Sequence, residues 1–287
     1  MVDGSTNYGD ELNYFIINQL SINKIINIPY PYKWYQIPLK YFRALKFKSE
    51  YSDFKGVFRS LFASKVIFGI GSTIHKFNRK NVIVWGSGII HSDWKINDAD
   101  FRAVRGKLTQ NRLLNLGYKV PEIIGDPALL LPLLINPKAR KYKIGIILHY
   151  NEILNSINHT NESILINMKD DIHTVTDNIT SCDFIISSSL HGLIVAQSFD
   201  IPALWVDFNC KNQLSGDNVK FRDYFSSVGI EPYSPISIKS FEISYLMKLK
   251  EANSNRTYIK TNLKEIQLNL LRSAPFTLKE KYKKLIS

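Results

Sequence analysis

The sequence contains little cysteine: Cys182 and Cys210 are the two thiols in 287 residues. Neither belongs to a C-x-x-C pair or to a Cys/His spacing that could hold structural zinc. Isolated thiols without a disulfide framework are typical of reducing compartments. We therefore expect a cytoplasmic, metal-independent protein.

The sequence also lacks long hydrophobic runs. No apolar stretch approaches the roughly 18–20 residues of a membrane-spanning helix, and the first ten residues, MVDGSTNYGD, are polar. We therefore expect any membrane contact to be peripheral, at the inner face. Segment 33–59 is the candidate for it because basic and aromatic residues alternate there. The same pattern also suits a helix that packs its aromatic face against a sheet.

Neither the dinucleotide fingerprint G-x-G-x-x-G nor a phosphate-binding P-loop occurs, so we expect no NAD or ATP site and no cofactor. The chain is basic, with 37 Lys and Arg against 25 Asp and Glu and a net charge of +12. These cations form no arginine-rich tract and no nucleic-acid motif, which argues against nucleic acid as a partner. An anionic substrate, an anionic membrane face and a simply solvated basic surface remain open.

The most informative segment is residues 182–207, CDFIISSSLHGLIVAQSFDIPALWVD. The apolar run at 183–187 predicts a strand, the apolar pattern at 193–199 a helix, and 203–206 a second buried strand. This order places three serines and His191 between the carboxyl end of a strand and the start of a helix. Such a position attracts anions through free N–H groups and the helix dipole. A histidine there can also move protons near neutral pH.

A series of short blocks occurs in an order that resembles the polysaccharide pyruvyl transferase family. The blocks are N-Y-G-D-E-L at 7–12, W-G-S-G at 85–88, V-R-G-K-L-T at 104–109, G-D-P-A at 125–128 and S-S-S-L-H-G-L-I at 187–194. The resemblance spans about residues 7–210. It implies a GT-B-like fold and an enzyme that transfers the enolpyruvyl group of phosphoenolpyruvate onto sugar hydroxyls, forming a pyruvate ketal and releasing phosphate.

Length and composition allow two domains, and 45% hydrophobic against 22% charged residues indicates a globular chain. Repeated strand–turn–helix units predict an α/β fold with parallel sheets. Prolines and basic residues at 132–143 mark a domain boundary. We predict two Rossmann-like domains in a GT-B-like arrangement with the cleft between them. They are an acceptor-side domain at 1–137, a donor-side domain at 138–255, and helices at 256–287 that cross back to the first domain.

The resemblance gives two residues a role at the donor. His191 is the candidate proton donor, and its alternative is a helix-start histidine bonded to a backbone carbonyl. Arg105 follows a predicted strand, so we expect it at a sheet edge facing a cleft. It inherits the family's association with the donor, and its alternative is a surface arginine.

Many family members carry an arginine where this chain has Ser189. The missing positive charge could come from Lys211, which can equally be a solvated loop lysine, or from His149. The predicted donor-binding residues are Arg105, His149, Ser188, Ser189, Leu190 and Lys211.

The N-terminal block predicts the acceptor side. Asp10 is a weaker candidate for a base that takes a proton from the attacking hydroxyl, and its alternative role is to cap the first helix. Asn7, Tyr8 and Ser87 are the other acceptor-side residues. The predicted partners are phosphoenolpyruvate and a sugar or lipid-linked oligosaccharide. Two rival functions remain open: a GT-B-type glycosyltransferase that uses a nucleotide sugar, and a non-catalytic glycan-binding relative.

Overall fold

A computed structural model describes residues 7–26, 63–77, 81–149, 152, 161–209 and 217–287. Within these residues the chain forms two parallel sheets connected by helices. The helices are α1 (Tyr8–Leu20), α2 (Lys107–Asn115), α3 (Ile172–Thr180), α4 (Leu190–Ser198), α5 (Val219–Val228), α6 (Ile243–Ala252), α7 (Leu263–Arg272) and α8 (Glu280–Lys283), with 3₁₀ turns at Pro127–Leu133 and Ser254–Arg256.

The first sheet has three strands in the order β1-β2-β3, and both pairings are parallel. Its central strand β2 has the sequence VIVW and is buried along its whole length. A continuous apolar run is expected for a strand of a parallel sheet, because both faces are covered. The strands are β1 (Val66–Phe68), β2 (Val82–Trp85) and β3 (Asp100–Ala103).

The second sheet has five strands in the order β5-β4-β6-β7-β8, and all pairings are parallel. The chain leaves β4 toward one edge, and then crosses back so that β6 lies on the other side of β4. This reversal is a topological switch point, where the loops at the carboxyl ends of two strands diverge. The strands are β4 (Ile144–Ile147), β5 (Ser163–Ile166), β6 (Ile185–Ser187), β7 (Ala203–Asp207) and β8 (Ile236–Ser237).

The C-terminal residues pack against N-terminal elements. The indole N–H of Trp85 donates to the carbonyl of Leu270 at 3.0 Å, and its ring meets Phe276 edge-on at 5.3 Å. The amide of Lys279 donates to the carbonyl of Leu20 at 2.8 Å. The end of the chain thus contacts both β2 and the end of α1.

The parallel sheets and their connecting helices confirm the predicted α/β class. The two Rossmann-like domains, their boundaries and the GT-B-like arrangement stay predictions. In the part of the chain described, no helix is long and apolar enough to cross a membrane. Segment 33–59, the candidate for peripheral membrane contact, lies outside the described residues.

Candidate functional site

The candidate site lies at the carboxyl ends of β4 and β6, where the second sheet reverses its strand order. β6 ends at Ser187, and the turn through Ser188 and Ser189 leads directly into α4. The hydroxyl of Ser187 closes this turn: it donates to the Ser189 carbonyl at 2.9 Å and accepts from the Ser189 amide at 3.0 Å. The turn therefore holds the start of α4 at the sheet edge.

Ser188 connects the ends of the two strands. Its hydroxyl accepts a hydrogen bond from the His149 amide at 2.9 Å and donates to the carboxylate of Glu152. That carboxylate also accepts from the His149 amide at 2.9 Å. Burial lowers the pKa of His149 to about 4, and the charge of Lys220 adds to the effect. This imidazole is therefore neutral near pH 7 before a donor binds, and the supply of positive charge by His149 stays a prediction.

His191 is the second residue of α4, and its ring lies against the first turn of α1. A Cβ added at Gly9 would lie 2.1 Å from the ring's Nδ1, so only glycine allows this approach. The Nε2 atom is buried and has no hydrogen-bond partner in the described part of the chain. Burial lowers the pKa of His191 to about 3, and the charges of Arg105, Lys220 and His149 contribute. The contact joins the first and last sequence blocks in one site.

Arg105 is fully buried, which corrects the expectation that it faces a cleft. Its Nε pairs with Oδ2 of Asp223 at 3.0 Å, while Nη1 donates to the Ser72 hydroxyl and Nη2 to the Ile89 carbonyl, each at 2.6 Å. Thr109 donates its amide and hydroxyl to the same carboxylate, at 2.9 and 2.7 Å. Arg105 can be buried because Asp223 neutralises its charge. Its role in donor binding stays a prediction.

Gly88, in the turn after β2, allows this ion pair to form. A Cβ there would lie 2.6 Å from Cζ and Nη2 of Arg105 and 2.7 Å from Oδ2 of Asp223. The neighbouring Ser87 was predicted on the acceptor side, but it is fully buried and donates its hydroxyl to the Gly71 carbonyl at 2.9 Å. The structure thus places Ser87 in a bond between two turns.

The N-terminal block is divided between the surface and the core. Asn7 caps α1 through its bond from the Gly9 amide, which corrects the expectation that Asp10 is the cap. Asp10 lies exposed in the first helical turn, where partial desolvation raises its carboxyl pKa and the charge of Lys76 opposes the rise. Tyr8 is buried, with its hydroxyl 2.8 Å from that of Thr176, so it lies in the core and not on an acceptor surface.

Sequence reasoning does not single out Lys220, the second residue of α5, although the structure buries it so that 7% of its surface stays exposed. Burial lowers its pKa to about 8; the charge of Arg105 lowers it further, and that of Glu152 raises it. The sequence around it, V-K-F-R-D-Y-F, carries no signal beyond a basic residue on an apolar helix. Only the packing of α5 against the site makes this lysine unusual.

The remaining predicted donor residues have simpler positions. Ser189 is the N-cap of α4 and Leu190 its first residue, and both are buried. Lys211 lies outside the described residues. Among the residues that the structure describes, no group of three or more His, Cys, Asp or Glu side chains could hold a metal ion.

Comparison with known proteins gives two similarities. Residues 7–209 match the sequence model of a family described as Polysaccharide pyruvyl transferase. A protein of Acanthamoeba polyphaga mimivirus, itself described as uncharacterized, is 34% identical over 176 residues. That alignment covers 57% of this chain and 61% of the viral protein, so the chain spans about three fifths of its relative's length.

Proposed function

Because the chain belongs to the polysaccharide pyruvyl transferase family, we propose that it moves the enolpyruvyl group of phosphoenolpyruvate onto two hydroxyls of one sugar. The acceptor is a sugar of a bacterial-type polysaccharide or a lipid-linked glycan, and the products are a pyruvate ketal and phosphate. One observation carries the proposal. His191 lies inside the matched region, at the start of a helix, with a buried Nε2 that no described residue satisfies.

The proposed reaction balances without an oxidant or reductant. A proton adds to the methylene carbon of the donor, which becomes a methyl group, and C2 becomes an oxocarbenium-like electrophile. A sugar hydroxyl attacks C2, the C–O bond to phosphate breaks, and a second hydroxyl forms the other C–O bond of the ketal. Of the two protons lost by the hydroxyls, one balances the proton added to carbon and the other leaves with phosphate.

His191 is the proposed proton donor to the methylene carbon. Its pKa of about 3 means that the imidazole is neutral near pH 7 before the donor binds. The carboxylate and phosphate of phosphoenolpyruvate bring negative charge beside the ring, and a nearby opposite charge raises a histidine pKa. Donor binding would therefore protonate the group that the reaction needs.

Asp10 is the proposed base for the first hydroxyl. It is exposed, unlike Tyr8 two residues earlier, so an acceptor can reach it. Its raised pKa makes its carboxylate a better proton acceptor than an ordinary aspartate. α1 carries both Asp10 and Gly9, which touches His191. The base and the acid would therefore be held by adjoining turns of two helices.

The direct experiment incubates the protein with phosphoenolpyruvate and a panel of sugar and lipid-linked acceptors. Mass spectrometry then measures a pyruvyl group gained by the acceptor, and a phosphate assay measures release. A parallel series replaces phosphoenolpyruvate with UDP- and CMP-sugars, which tests the glycosyltransferase alternative. Transfer of a sugar from a nucleotide sugar, without pyruvyl transfer from phosphoenolpyruvate, would contradict the proposal and support the glycosyltransferase alternative.

The variant that tests the site is His191→Ala. We expect turnover to fall by roughly 10²–10⁴-fold, the usual contribution of general acid–base catalysis. His173→Ala is the matched control, because His173 is an exposed histidine on α3. A loss below about tenfold in folded His191→Ala protein would remove His191 from the mechanism.

A further inference from the structure

Trp94 is an exposed aromatic residue that packs against two histidines. It is 41% exposed, and it is the one aromatic among the exposed large hydrophobic residues in the described part of the chain. The ring of His91 stacks on the indole with the ring centres 4.3 Å apart, and the ring of His75 meets it edge-on at 4.4 Å. We call these three rings the Trp94 platform. Three aromatic rings assembled at the surface, unlike a single scattered apolar side chain, indicate a binding surface.

The loop that carries Trp94 is anchored by side chains of other elements. Arg112 on α2 donates to the Trp94 carbonyl at 3.0 Å. Ser92 donates its amide and its hydroxyl to Oδ2 of Asp217, just before α5, at 3.1 and 2.6 Å. None of these bonds involves the indole, so they remain when the Trp94 side chain is replaced. A platform that is already held in place loses little conformational freedom when a ligand binds.

The platform combines residues from the loops that follow β1 and β2. His75 belongs to the loop after β1, whereas His91 and Trp94 belong to the loop after β2. The side-chain amide of Asn97 donates to the Phe77 carbonyl at 2.7 Å and so connects the two loops. Because β1 and β2 are parallel, both loops lie at the carboxyl-terminal edge of the first sheet. Ligands of open α/β sheets bind at this kind of edge.

Helix α1 connects one loop of the platform with the proposed reaction site. In its first turn, Gly9 contacts the His191 ring. One turn later, Oδ1 of Asn13 accepts a hydrogen bond at 3.0 Å from the amide of Ile70, in the loop after β1. The proposed base Asp10 lies between these two contacts in the sequence of the helix. The platform and the proposed base therefore belong to elements in direct contact.

The charges around the platform suit a neutral ligand rich in hydroxyls. Asp93 and Lys95, the neighbours of Trp94 in the sequence, are both exposed and opposite in charge. Burial lowers the pKa of His75 to about 4, so this ring carries no charge near pH 7. A saccharide offers C–H groups to an aromatic ring, and its hydroxyls can bond to a carboxylate or an ammonium. The balanced charges give an anion no such advantage.

We propose that the Trp94 platform binds a neutral pyranose ring of the acceptor saccharide, which stacks on the exposed part of the indole. The role of this saccharide as the acceptor rests on the proposed function, whereas the saccharide site follows from the platform itself. The C–H groups on one face of the sugar contact the aromatic ring, and its hydroxyls bond to Asp93 and Lys95. The platform holds the sugar and takes no part in the chemical step.

Saturation-transfer difference NMR tests the site with three probes: methyl β-galactopyranoside, methyl β-glucopyranoside and methyl α-mannopyranoside. We expect wild type to bind at least one of them, with the strongest saturation on the C–H protons of one ring face. Trp94→Ala should weaken that affinity roughly tenfold. Trp94→Leu, which keeps an apolar side chain without a ring, should lose as much, whereas Trp94→Phe should retain most of the affinity.

Leu114→Ala is the matched control, because it removes an exposed apolar side chain from α2, the helix that anchors the Trp94 loop. Its affinity should stay within about twofold of wild type. Urea denaturation checks that each variant is folded.

Steady-state kinetics with an acceptor that gains a pyruvyl group give a second readout. In Trp94→Ala we expect the KM for the acceptor to rise roughly tenfold, while kcat and the KM for phosphoenolpyruvate stay within about twofold of wild type. This split is expected because the platform binds the acceptor equally well before and during the reaction. A lower kcat with an unchanged acceptor KM would contradict the proposal.

The outcomes separate this site from the proposed function. If wild type binds none of the three glycosides, or Trp94→Ala binds them as wild type does, the saccharide site is wrong, while pyruvyl transfer is decided by the turnover assay. If Trp94→Ala loses binding to phosphatidylglycerol vesicles and not to the glycosides, the indole contacts a membrane and the saccharide site is wrong. If glycoside binding depends on Trp94 but no acceptor gains a pyruvyl group, the saccharide site stands and the transferase proposal fails.

Discussion

The carboxyl-terminal edge of the first sheet and that of the second sheet, called here the first and second edge, differ in whether their buried polar groups have hydrogen-bond partners. At the first edge, each guanidinium nitrogen of Arg105 has a hydrogen bond, and Asp223 accepts from both Arg105 and Thr109. At the second edge, Nε2 of His191 has no hydrogen-bond partner among the described residues. Both edges contain buried polar atoms, but those of Arg105 and Asp223 have hydrogen-bond partners and Nε2 of His191 does not.

The difference separates residues that stabilise the fold from residues that act on a ligand. A satisfied buried polar group stabilises the folded chain, whereas an unsatisfied one costs about 1–3 kcal/mol. The unsatisfied Nε2 of His191 lies beside the serine turn at the switch point, where ligands of α/β sheets bind. We therefore interpret the polar groups of the first edge as residues that stabilise the fold, and those of the second edge as residues that act on a ligand.

The largest effect is expected from breaking the buried ion pair between Arg105 and Asp223 at the first edge. Asp223→Ala leaves the buried charge of Arg105 without a partner, and we expect a loss of about 3–5 kcal/mol in the free energy of unfolding. Urea denaturation measures it. The matched control is Asp100→Ala, whose pair with Arg102 has side chains 47% and 52% exposed, so its loss should stay below about 1 kcal/mol.

The double variant Arg105→Met with Asp223→Leu sharpens this test. Replacing both members of a buried pair by apolar groups is often close to neutral, so most of the lost stability should return. If Asp223→Ala and Asp100→Ala cost the same, burial does not distinguish the two pairs and the comparison between the edges fails.

A smaller effect is expected where α1 meets His191. In Gly9→Ala the new Cβ would lie 2.1 Å from Nδ1, so the ring or the helix must shift. A displacement near 1 Å can reduce turnover by roughly 10²-fold. Stability should change little, because alanine favours the helix over glycine by about 1 kcal/mol, and this gain offsets the cost of the shift. Steady-state turnover and urea denaturation are measured together, with Asn18→Ala, an exposed change on the same helix, as control. Unchanged turnover in Gly9→Ala would show that the position of His191 is not critical.

The last prediction concerns Asp126, a buried residue near the first edge that has one unsatisfied carboxylate oxygen. Its Oδ2 is buried without a partner in the described residues, while Oδ1 accepts from the Ala128 amide at 2.9 Å. Burial raises its pKa from 3.8 to about 6, although the hydrogen bond from Ala128 opposes the rise. A raised carboxyl pKa favours the folded state below pH 4, and this advantage is lost as the pH rises through 6.

Asp126→Asn keeps the hydrogen bond to Ala128 and removes the titration. We expect its stability relative to wild type to increase between pH 4 and pH 8, by up to roughly 3 kcal/mol at 1.36 kcal/mol per pKa unit. Urea denaturation at both values measures the difference. A variant whose relative stability is the same at pH 4 and pH 8 would show that Asp126 keeps an ordinary pKa.

Much of the second edge could be predicted from local sequence. The strand, serine turn and helix between 182 and 207 occur where periodicity and turn chemistry indicate, with α4 beginning at Leu190. Family resemblance selects His191 within it. Lys220 could not be found in this way, because its burial depends on how α5 packs and not on its neighbours in the chain.

The first edge was harder to predict for the same reason. Arg105 was expected at a cleft, and its partner Asp223 lies 118 positions later. The buried contacts of Tyr8 and Ser87 are also long-range, with partners 168 and 16 positions away. No local pattern around these residues indicates that their polar atoms are already satisfied.

The sequence by itself determined the α/β class and the place of the histidine turn, because hydrophobic periodicity and turn residues act over a few positions. Tertiary structure alone decided which buried charges are neutralised by a partner within the protein and which are not. Pairing and desolvation depend on distances between segments that are remote in the chain: Gly9 against His191, and Asp223 against Arg105. The same helix α5 neutralises one buried cation through Asp223 and contributes another through Lys220, and only its packing decides that outcome.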